Sequence, residues 1–229
     1  MVKIPVKVVT WDDIATWASI LADKISSSGW HPEVIVAVAR GGYVPARLLC
    51  DLLGVNDLVS LQVVHWPTTA QASEKAFIKY PVADIDLNGK RVLIVDDIVD
   101  TGDSVELAKS HVKARWPKAD VKVGALQWIS SVAKVKPDYY AYEVKEWAWF
   151  MYPWNVTEDM TNFIRRILLE EGKDSWSLIE LVPKLREWYG DEITKVPLTY
   201  VMRALANLEK LGFVKTVSSN GVTLIRLNK

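Results

Sequence analysis

The chain has 229 residues, of which 50% are hydrophobic and 24% are charged, so it can bury a sizeable core as one large domain or two small ones. Lys plus Arg and Asp plus Glu both number 28, so no overall charge favours nucleic acid or an anionic membrane as a partner. A single cysteine, Cys50, excludes a disulfide framework within the chain. No run of 18 apolar residues and no signal peptide is present, so we expect a cytoplasmic protein without a membrane partner.

The predicted elements alternate between helices and strands. A first helix begins at the capping residues Thr10–Asp13 and runs to about Ser27. Further on, buried-strand runs are separated by helical stretches near 44–53 and 103–115. The strands are predicted near 34–39, 58–65, 91–95, 121–128 and 139–144. This alternation predicts an α/β fold, with a parallel sheet of about five strands flanked by helices.

A glycine turn follows the first buried strand. Arg40, Gly41 and Gly42 stand between that strand and the next helix. Two glycines allow the backbone to approach a ligand closely, and Arg40 adds a fixed positive charge. The combination suits a pyrophosphate group, although in isolation an ordinary strand-to-helix turn would explain it better.

The segment from about Trp66 to Val82 has neither a clean helical nor a clean strand pattern. It is too long for a structureless connector in a compact domain, so it is a candidate lid over a reaction centre. An Ω-loop or a poorly patterned hairpin is the alternative.

Three acidic residues follow the strand predicted at Val92–Val95. Asp96 and Asp97 come at its carboxyl end, where open α/β sheets place their ligands. Their carboxylates can accept hydrogen bonds from the vicinal hydroxyls of a ribose, and a divalent cation would offset their repulsion. Thr101–Ser104 opens a helix whose amides and hydroxyls can surround a phosphate, and Asp100 stands between the two halves. Helix capping explains only one or two of these acids, so the pattern predicts a sugar-phosphate site.

The string from Asp96 to Gly102 resembles the phosphoribosyl-pyrophosphate (PRPP) signature of the type I phosphoribosyltransferases: two acids, two apolar residues, then Asp-Thr-Gly. With the Arg40–Gly42 loop ahead of it, the chain is similar to the purine enzymes, particularly the bacterial xanthine-guanine type. The resemblance implies a site whose parts bind different groups of PRPP. Asp96 and Asp97 would hold the ribose or its metal, Asp100, Thr101, Gly102, Asp103 and Ser104 the 5′-phosphate, and Arg40, Gly41, Gly42, Lys75 and Lys79 the pyrophosphate.

Two details of this resemblance stay open in the sequence. In the family, the pyrophosphate loop often carries a cis peptide that does not precede proline, and the sequence cannot show whether Arg40–Gly41 is one. Asp103 replaces the usual Lys or Gly of the phosphate loop, which puts a side-chain contact to phosphate there in doubt.

Base recognition is expected from an aromatic string near residue 150. The residues from Trp149 to Asn155 resemble the base-binding segment of the xanthine-guanine enzymes, with Trp149 in the stacking position and Phe150 supplying backbone groups. Stacking of a base on an aromatic ring is worth about 1–3 kcal/mol. An aromatic cluster at a domain boundary is the competing explanation, and it suits Trp147 and Trp154 better.

The identity of the base is predicted from two departures. The 6-oxopurine enzymes place a Lys after the preceding strand, where it donates to O6 of the base, and they end the aromatic string with Asp. This chain has Leu126–Ser130 in the first place and Asn155 in the second, so Gln127 and Asn155 are the expected base-binding residues there. Without the cationic donor, the site favours the amino group of adenine, as in some crenarchaeal adenine phosphoribosyltransferases. Hypoxanthine, guanine or xanthine is the alternative.

We expect a domain boundary between residues 155 and 156. The part from 156 to 229 predicts three helices and then a hairpin around Asn220-Gly221, which resembles a winged helix. It carries 11 Lys plus Arg and 10 Asp plus Glu, whereas a surface that reads DNA normally has a basic excess. We therefore expect a cap over the active site or a dimer surface and no nucleic-acid partner, and a transcription regulator that senses PRPP or a nucleotide is the alternative.

The resemblance implies one reaction. The 5-phosphoribosyl group of PRPP passes to a purine base, giving a nucleoside monophosphate and pyrophosphate, with Asp100 as the general base. Mg²⁺ would bridge the pyrophosphate and the ribose hydroxyls, with Asp97 as a protein ligand. A homodimer is expected.

Overall fold

The structure is a computed structural model that describes residues 3–64, 76–219 and 222–228. Its strands are β1 Val6–Val8, β2 Val34–Ala39, β3 Asp57–Val64, β4 Phe77–Tyr80, β5 Arg91–Val99, β6 Asp120–Ile129, β7 Tyr139–Val144, β8 Trp149–Met151, β9 Ser175–Ser177, β10 Val214–Ser219 and β11 Val222–Leu227. Its helices are α1 Trp11–Ser27, α2 Tyr43–Leu53, α3 Asp103–Arg115, α4 Val156–Glu170, α5 Leu178–Tyr189 and α6 Leu198–Lys210, and a 3₁₀ helix spans Asp191–Lys195. Within the described ranges, no helix has the length and apolar character needed to cross a bilayer.

The chain divides into two compact units. The sheet unit comprises Trp11–Trp147, and the helical unit comprises Met1–Thr10 together with Ala148–Lys229. The division therefore precedes the expected domain boundary between 155 and 156. The N-terminal segment joins the helical unit because β1 pairs in parallel with β8, with Val6 opposite Trp149.

The sheet unit contains one six-stranded sheet in the order β4-β3-β2-β5-β6-β7. All neighbouring pairs are parallel except β3 and β4, so the predicted α/β fold with about five parallel strands is confirmed, and an antiparallel edge strand is added to it. Every residue of β2 is buried, as expected for a strand covered on both faces. The segment predicted as a lid, from Trp66 to Val82, contains strand β4. Its residues 66–75 lie outside the described part of the chain.

Strand β5 is longer than predicted, and this changes the position of the acid pair. The sequence places Asp96 and Asp97 after a strand that ends at Val95, whereas β5 continues to Val99. The pairing with β2 ends at Val95, but the pairing with β6 continues to Val99. Both aspartates therefore lie inside β5, where only β6 still pairs with it.

The helical unit combines three helices with a three-stranded antiparallel sheet in the order β10-β11-β9. The second helix of this unit begins at Leu178, because Ser175–Ser177 pairs with β11 as a strand. Ser177 then starts α5 with a capping box that involves Glu180. The hairpin predicted around Asn220-Gly221 is formed by β10 and β11, although these two residues themselves lie outside the described part.

Candidate active site

The glycine turn forms a tight loop between β2 and α2. The amide of Gly42 donates to the carbonyl oxygen of Val38 at 2.8 Å, and the peptide bond between Ala39 and Arg40 is cis, one bond before the position that the sequence left open. A Cβ added to Gly42 would lie 2.3 Å from the backbone oxygen of Val95. The loop therefore lies directly against β5 at a distance that no side chain would allow.

The same loop contacts the acid pair. A Cβ added to Gly41 would lie 2.3 Å from Oδ2 of Asp97, so the backbone of Gly41 is packed against this carboxylate. The structure thus brings together two motifs that are more than fifty residues apart in the chain. A ligand that contacts the backbone of the loop also lies next to Asp97.

The acid pair is buried, with Asp96 and Asp97 each 8% exposed. The amide of Asp97 donates to Oδ1 of Asp96 at 3.0 Å, and the amide of Ile98 donates to Oδ1 of Asp97 at 2.8 Å. Burial, and next the negative charge of Asp97, raise the pKa of Asp96 well above its ordinary value. A cation beside the pair would offset this shift, because it stabilises both charged forms.

The predicted phosphate loop joins β5 to α3. Gly102 caps α3 with a φ of +94°, a left-handed conformation that favours glycine, and a Cβ there would lie 2.3 Å from Cγ2 of Val135. The amide of Lys134 donates to the carbonyl oxygen of Thr101 at 2.9 Å. The segment after β6 thus packs on the loop and fixes its shape at the start of the helix, where backbone amides can bind an anion.

Asp103, the first residue of α3, forms an ion pair with a lysine from the segment after β6. Its Oδ1 lies 3.0 Å from Nζ of Lys134. The ion pair offsets the negative charge that the sequence places in a predicted phosphate site. Sequence reasoning missed the roles of Lys134 and Val135, since nothing in their spacing from β6 indicates that they pack on a loop thirty residues earlier.

The other predicted residues of the sheet unit lie on different strands. Gln127 is 1% exposed on β6, in register with Ile98 of β5. Lys79 is on the edge strand β4, which β3 and β2 separate from β5, and its ammonium lies 5.2 Å from the ring centre of Tyr80. Lys75 lies outside the described residues.

Three of the four predicted base-binding residues belong to the helical unit, and the fourth, Gln127, lies on β6 of the sheet unit. Trp149 and Phe150 are on β8, and Asn155 immediately precedes α4. The ring of Trp149 stands edge-on to that of Phe163 at 6.2 Å between centres. This placement fixes the orientation of the indole.

Asp159 is a buried acid in the helical unit that the sequence does not single out. It is 4% exposed, and burial raises its pKa to about 7, while the nearby indole N–H of Trp149 offsets part of the rise. Neither Oδ2 of Asp159 nor Nε1 of Trp149 has a hydrogen-bond partner of ordinary geometry among the described residues. The electrostatic surroundings of Trp149 therefore depend on the protonation of Asp159.

Comparison with known proteins identifies this arrangement. Residues 10–159 match the family model described as "Phosphoribosyl transferase domain". The chain belongs to the type I purine phosphoribosyltransferase family. A xanthine-guanine phosphoribosyltransferase of Gluconobacter oxydans is 32% identical over 166 residues, which cover 72% of this chain and 92% of that protein. A protein of the same name from Cereibacter sphaeroides is 29% identical over 155 residues, covering 65% of this chain and 86% of the relative.

A solved structure agrees with these relatives. The purine phosphoribosyltransferase of Pyrococcus horikoshii superposes with a TM-score of 0.56 at 33% identity, covering 66% of this chain and 94% of that one. The family model ends at residue 159, so most of the helical unit lies beyond it.

Proposed function

We propose that this phosphoribosyltransferase transfers the 5-phosphoribosyl group of PRPP to a 6-oxopurine base and releases pyrophosphate. The single observation that carries the proposal is the contact between the backbone of Gly41 and the buried carboxylate of Asp97. It joins a loop suited to pyrophosphate to a carboxylate suited to ribose hydroxyls, and PRPP contains both groups. The named relatives support the class of base, since both curated proteins are xanthine-guanine enzymes.

Each part of the site has a role in this proposal. The amides at the start of α3, from Asp100 to Ser104, bind the 5′-phosphate, and Arg40 with Gly41 and Gly42 binds the pyrophosphate. Asp100 is exposed directly after β5, and it accepts the proton of the attacking purine nitrogen. Binding at these parts holds the ribose in a fixed orientation, so less translational and rotational entropy is lost when the two reactants meet in the transition state.

Mg²⁺ fits the acid pair. Among the described residues, no group of three or more His, Cys, Asp or Glu side chains is placed to hold a metal ion. Mg²⁺ is, however, commonly held by one or two carboxylates together with substrate phosphates, and Asp96 and Asp97 form such a pair. When bound there, the ion would neutralise charge on the departing pyrophosphate.

Adenine is a second candidate for the base, because the two lysines that follow β6 contact other groups of the protein. Lys134 pairs with Asp103, and the ammonium of Lys136 lies 5.2 Å from the ring centre of Trp128 and 5.4 Å from that of Tyr140. Both cations thus have other partners in the structure. A site without a cationic donor to O6 suits an amino group at C6.

A kinetic comparison decides between the two bases. PRPP is supplied with adenine, hypoxanthine, guanine or xanthine in turn, and kcat/KM is measured from pyrophosphate release. We expect at least one 6-oxopurine to exceed adenine at least about tenfold, which corresponds to about 1.4 kcal/mol. A preference of that size for adenine would contradict the proposed base and leave the reaction class intact, whereas no release with any purine would contradict the reaction itself.

A further inference from the structure

The helical unit has a chain order that is known from DNA-binding proteins. Helix α4 is followed by β9, α5, α6 and the β10–β11 hairpin, and β9 pairs with β11 so that the hairpin extends the sheet. This order resembles a winged helix, in which the third helix enters the major groove and the hairpin contacts the flanking backbone. In this chain the third helix is α6. We call the hairpin of β10 and β11 the wing.

The charge of this unit is strongly segregated along the chain, although its total is balanced. Residues 156–194 contain five Lys or Arg and nine Asp or Glu. Residues 195–229, which include α6 and the wing, contain six Lys or Arg and a single acid, Glu209. The total charge therefore conceals the basic excess that a DNA-binding surface requires.

That single acid is occupied in holding the wing to α6. Oε1 of Glu209 accepts a hydrogen bond from the amide of Thr216 at 2.9 Å, and Oε2 accepts one from its hydroxyl at 3.3 Å. The helix and the wing are thereby connected through polar contacts, in addition to the buried packing of Leu208 and Val214. They form one surface with a defined relative position.

Four exposed cations of α6 and the wing have no acidic partner among the residues that the structure describes. Lys195 pairs with Glu192, but no carboxylate of the described residues lies within 4.0 Å of the charged groups of Arg203, Lys210, Lys215 or Arg226. Four of the five cations of residues 156–194, namely Arg166, Lys173, Lys184 and Arg186, form ion pairs, and the guanidinium of the fifth, Arg165, lies 5.2 Å from the ring centre of Phe213.

Two of these cations stand directly opposite each other on the wing. Lys215 of β10 is in register with Arg226 of β11, and both side chains are exposed. Like charges directly opposite each other destabilise a hairpin. An anion bound between them would remove this cost, and the phosphates of a nucleic acid are such anions.

The exposed face of α6 has side chains that can bind in the major groove of DNA. Thr199, Arg203, Ala206 and Lys210 are exposed at the spacing of one helical face, while Val201, Ala204, Leu205 and Leu208 are buried on the other. The exposed face thus carries a hydroxyl, a guanidinium and an ammonium, which can contact base edges and phosphates.

From these observations we infer that the helical unit binds duplex DNA through α6 and the wing. This function is additional to phosphoribosyl transfer and does not depend on it, since none of the four cations belongs to the proposed PRPP site.

The test is fluorescence anisotropy of a labelled 30-base-pair duplex of mixed sequence with the full chain. If the four cations each neutralise a phosphate, the slope of log K against log salt is about −3.6, so binding weakens about a hundredfold between 50 and 200 mM salt. The double variant Lys215→Gln/Arg226→Gln should reduce the slope by about 2, and Arg203→Gln/Lys210→Gln should do the same. The matched control, Lys173→Gln/Arg186→Gln, removes two charges that are already paired and should leave the slope unchanged.

Three outcomes would overturn the inference. The first is no binding at 50 mM salt with 100 µM protein, a level at which nonspecific DNA binding is ordinarily detectable, with dissociation constants of about 10⁻⁴ to 10⁻⁶ M at physiological salt. The second is an equal loss in the control and the test variants, which would indicate a general charge effect. The third is tighter binding of a single strand of the same length than of the duplex. Circular dichroism and phosphoribosyltransferase activity, both expected to be unchanged, establish that each variant is folded.

Discussion

Replacing Gly41 by alanine tests the contact between the pyrophosphate loop and the acid pair. The new Cβ would lie 2.3 Å from Oδ2 and 2.5 Å from Cγ of Asp97. Because nonbonded contacts to carbon are favourable only near about 3.5 Å, the carboxylate must move by about 1 Å. A misplacement of about 1 Å can lower the rate about 100-fold, which corresponds to about 2.7 kcal/mol of transition-state stabilisation. We therefore expect kcat/KM of Gly41→Ala to fall about 100-fold.

The assay is steady-state pyrophosphate release with PRPP varied at saturating purine, with thermal unfolding measured in parallel. Gly124→Ala is the matched control, because a Cβ on this β6 residue would make an ordinary contact of 3.4 Å with Leu93, and none of the three atoms nearest to it belongs to the acid pair. The control should retain nearly normal kinetics. A folded Gly41→Ala protein with the same kcat/KM as the control would show that catalysis does not depend on the position of the Asp97 carboxylate against the backbone of Gly41.

Asp97→Asn should lose most of kcat/KM while keeping its unfolding temperature, since charge changes and volume does not; a folded variant with normal turnover would remove Asp97 from the site. Asp100→Asn should chiefly lower kcat, and an unchanged kcat would show that another group accepts the proton. Lys134→Met removes the ammonium that pairs with Asp103 beside the phosphate loop, so KM for PRPP should rise several-fold, and adding Asp103→Asn should restore it; no rescue would assign the effect to packing. Asp159 has a pKa of about 7 in the folded state and about 3.9 in the unfolded state. Between these two pH values only the folded state keeps the proton, so the folded state loses stability as the pH rises from about 4 to about 7. Asp159 should therefore lower the free energy of unfolding by about 2–3 kcal/mol from pH 5 to pH 8, a contribution that Asp159→Asn should remove in urea titrations; equal pH dependence in both proteins would contradict it.

The parallel sheet and its ligand-binding edge could be predicted from sequence because their signals are local. The run from Val34 to Ala39 is apolar without interruption; Arg40 and a glycine turn follow it, and an acid pair follows the apolar run at Val92–Val95. The true length of β5 could not be predicted in this way. Two successive acids predict that the strand ends at Val95, but β5 pairs with β6 as far as Val99.

Short elements with distant partners were missed for a different reason. β1 and β8 have three residues each and are about 140 residues apart, so neither contains enough residues to show a periodicity. The strand Ser175–Ser177 likewise exists only because β11 pairs with it. In the site, the contact of Lys134 with Asp103 depends on the packing of two loops, which no spacing in the sequence encodes. The charge pattern of α6 and the wing was available in the sequence, but a count over the whole C-terminal part concealed it.

The most direct test of phosphoribosyl transfer is the stoichiometry of its products. The full chain is incubated with PRPP, Mg²⁺ and each purine, and nucleoside monophosphate and pyrophosphate are quantified together. The account predicts equimolar formation of both products with at least one purine, and loss of both in Asp97→Asn. Pyrophosphate formed without nucleotide, or no product with any purine, would contradict it.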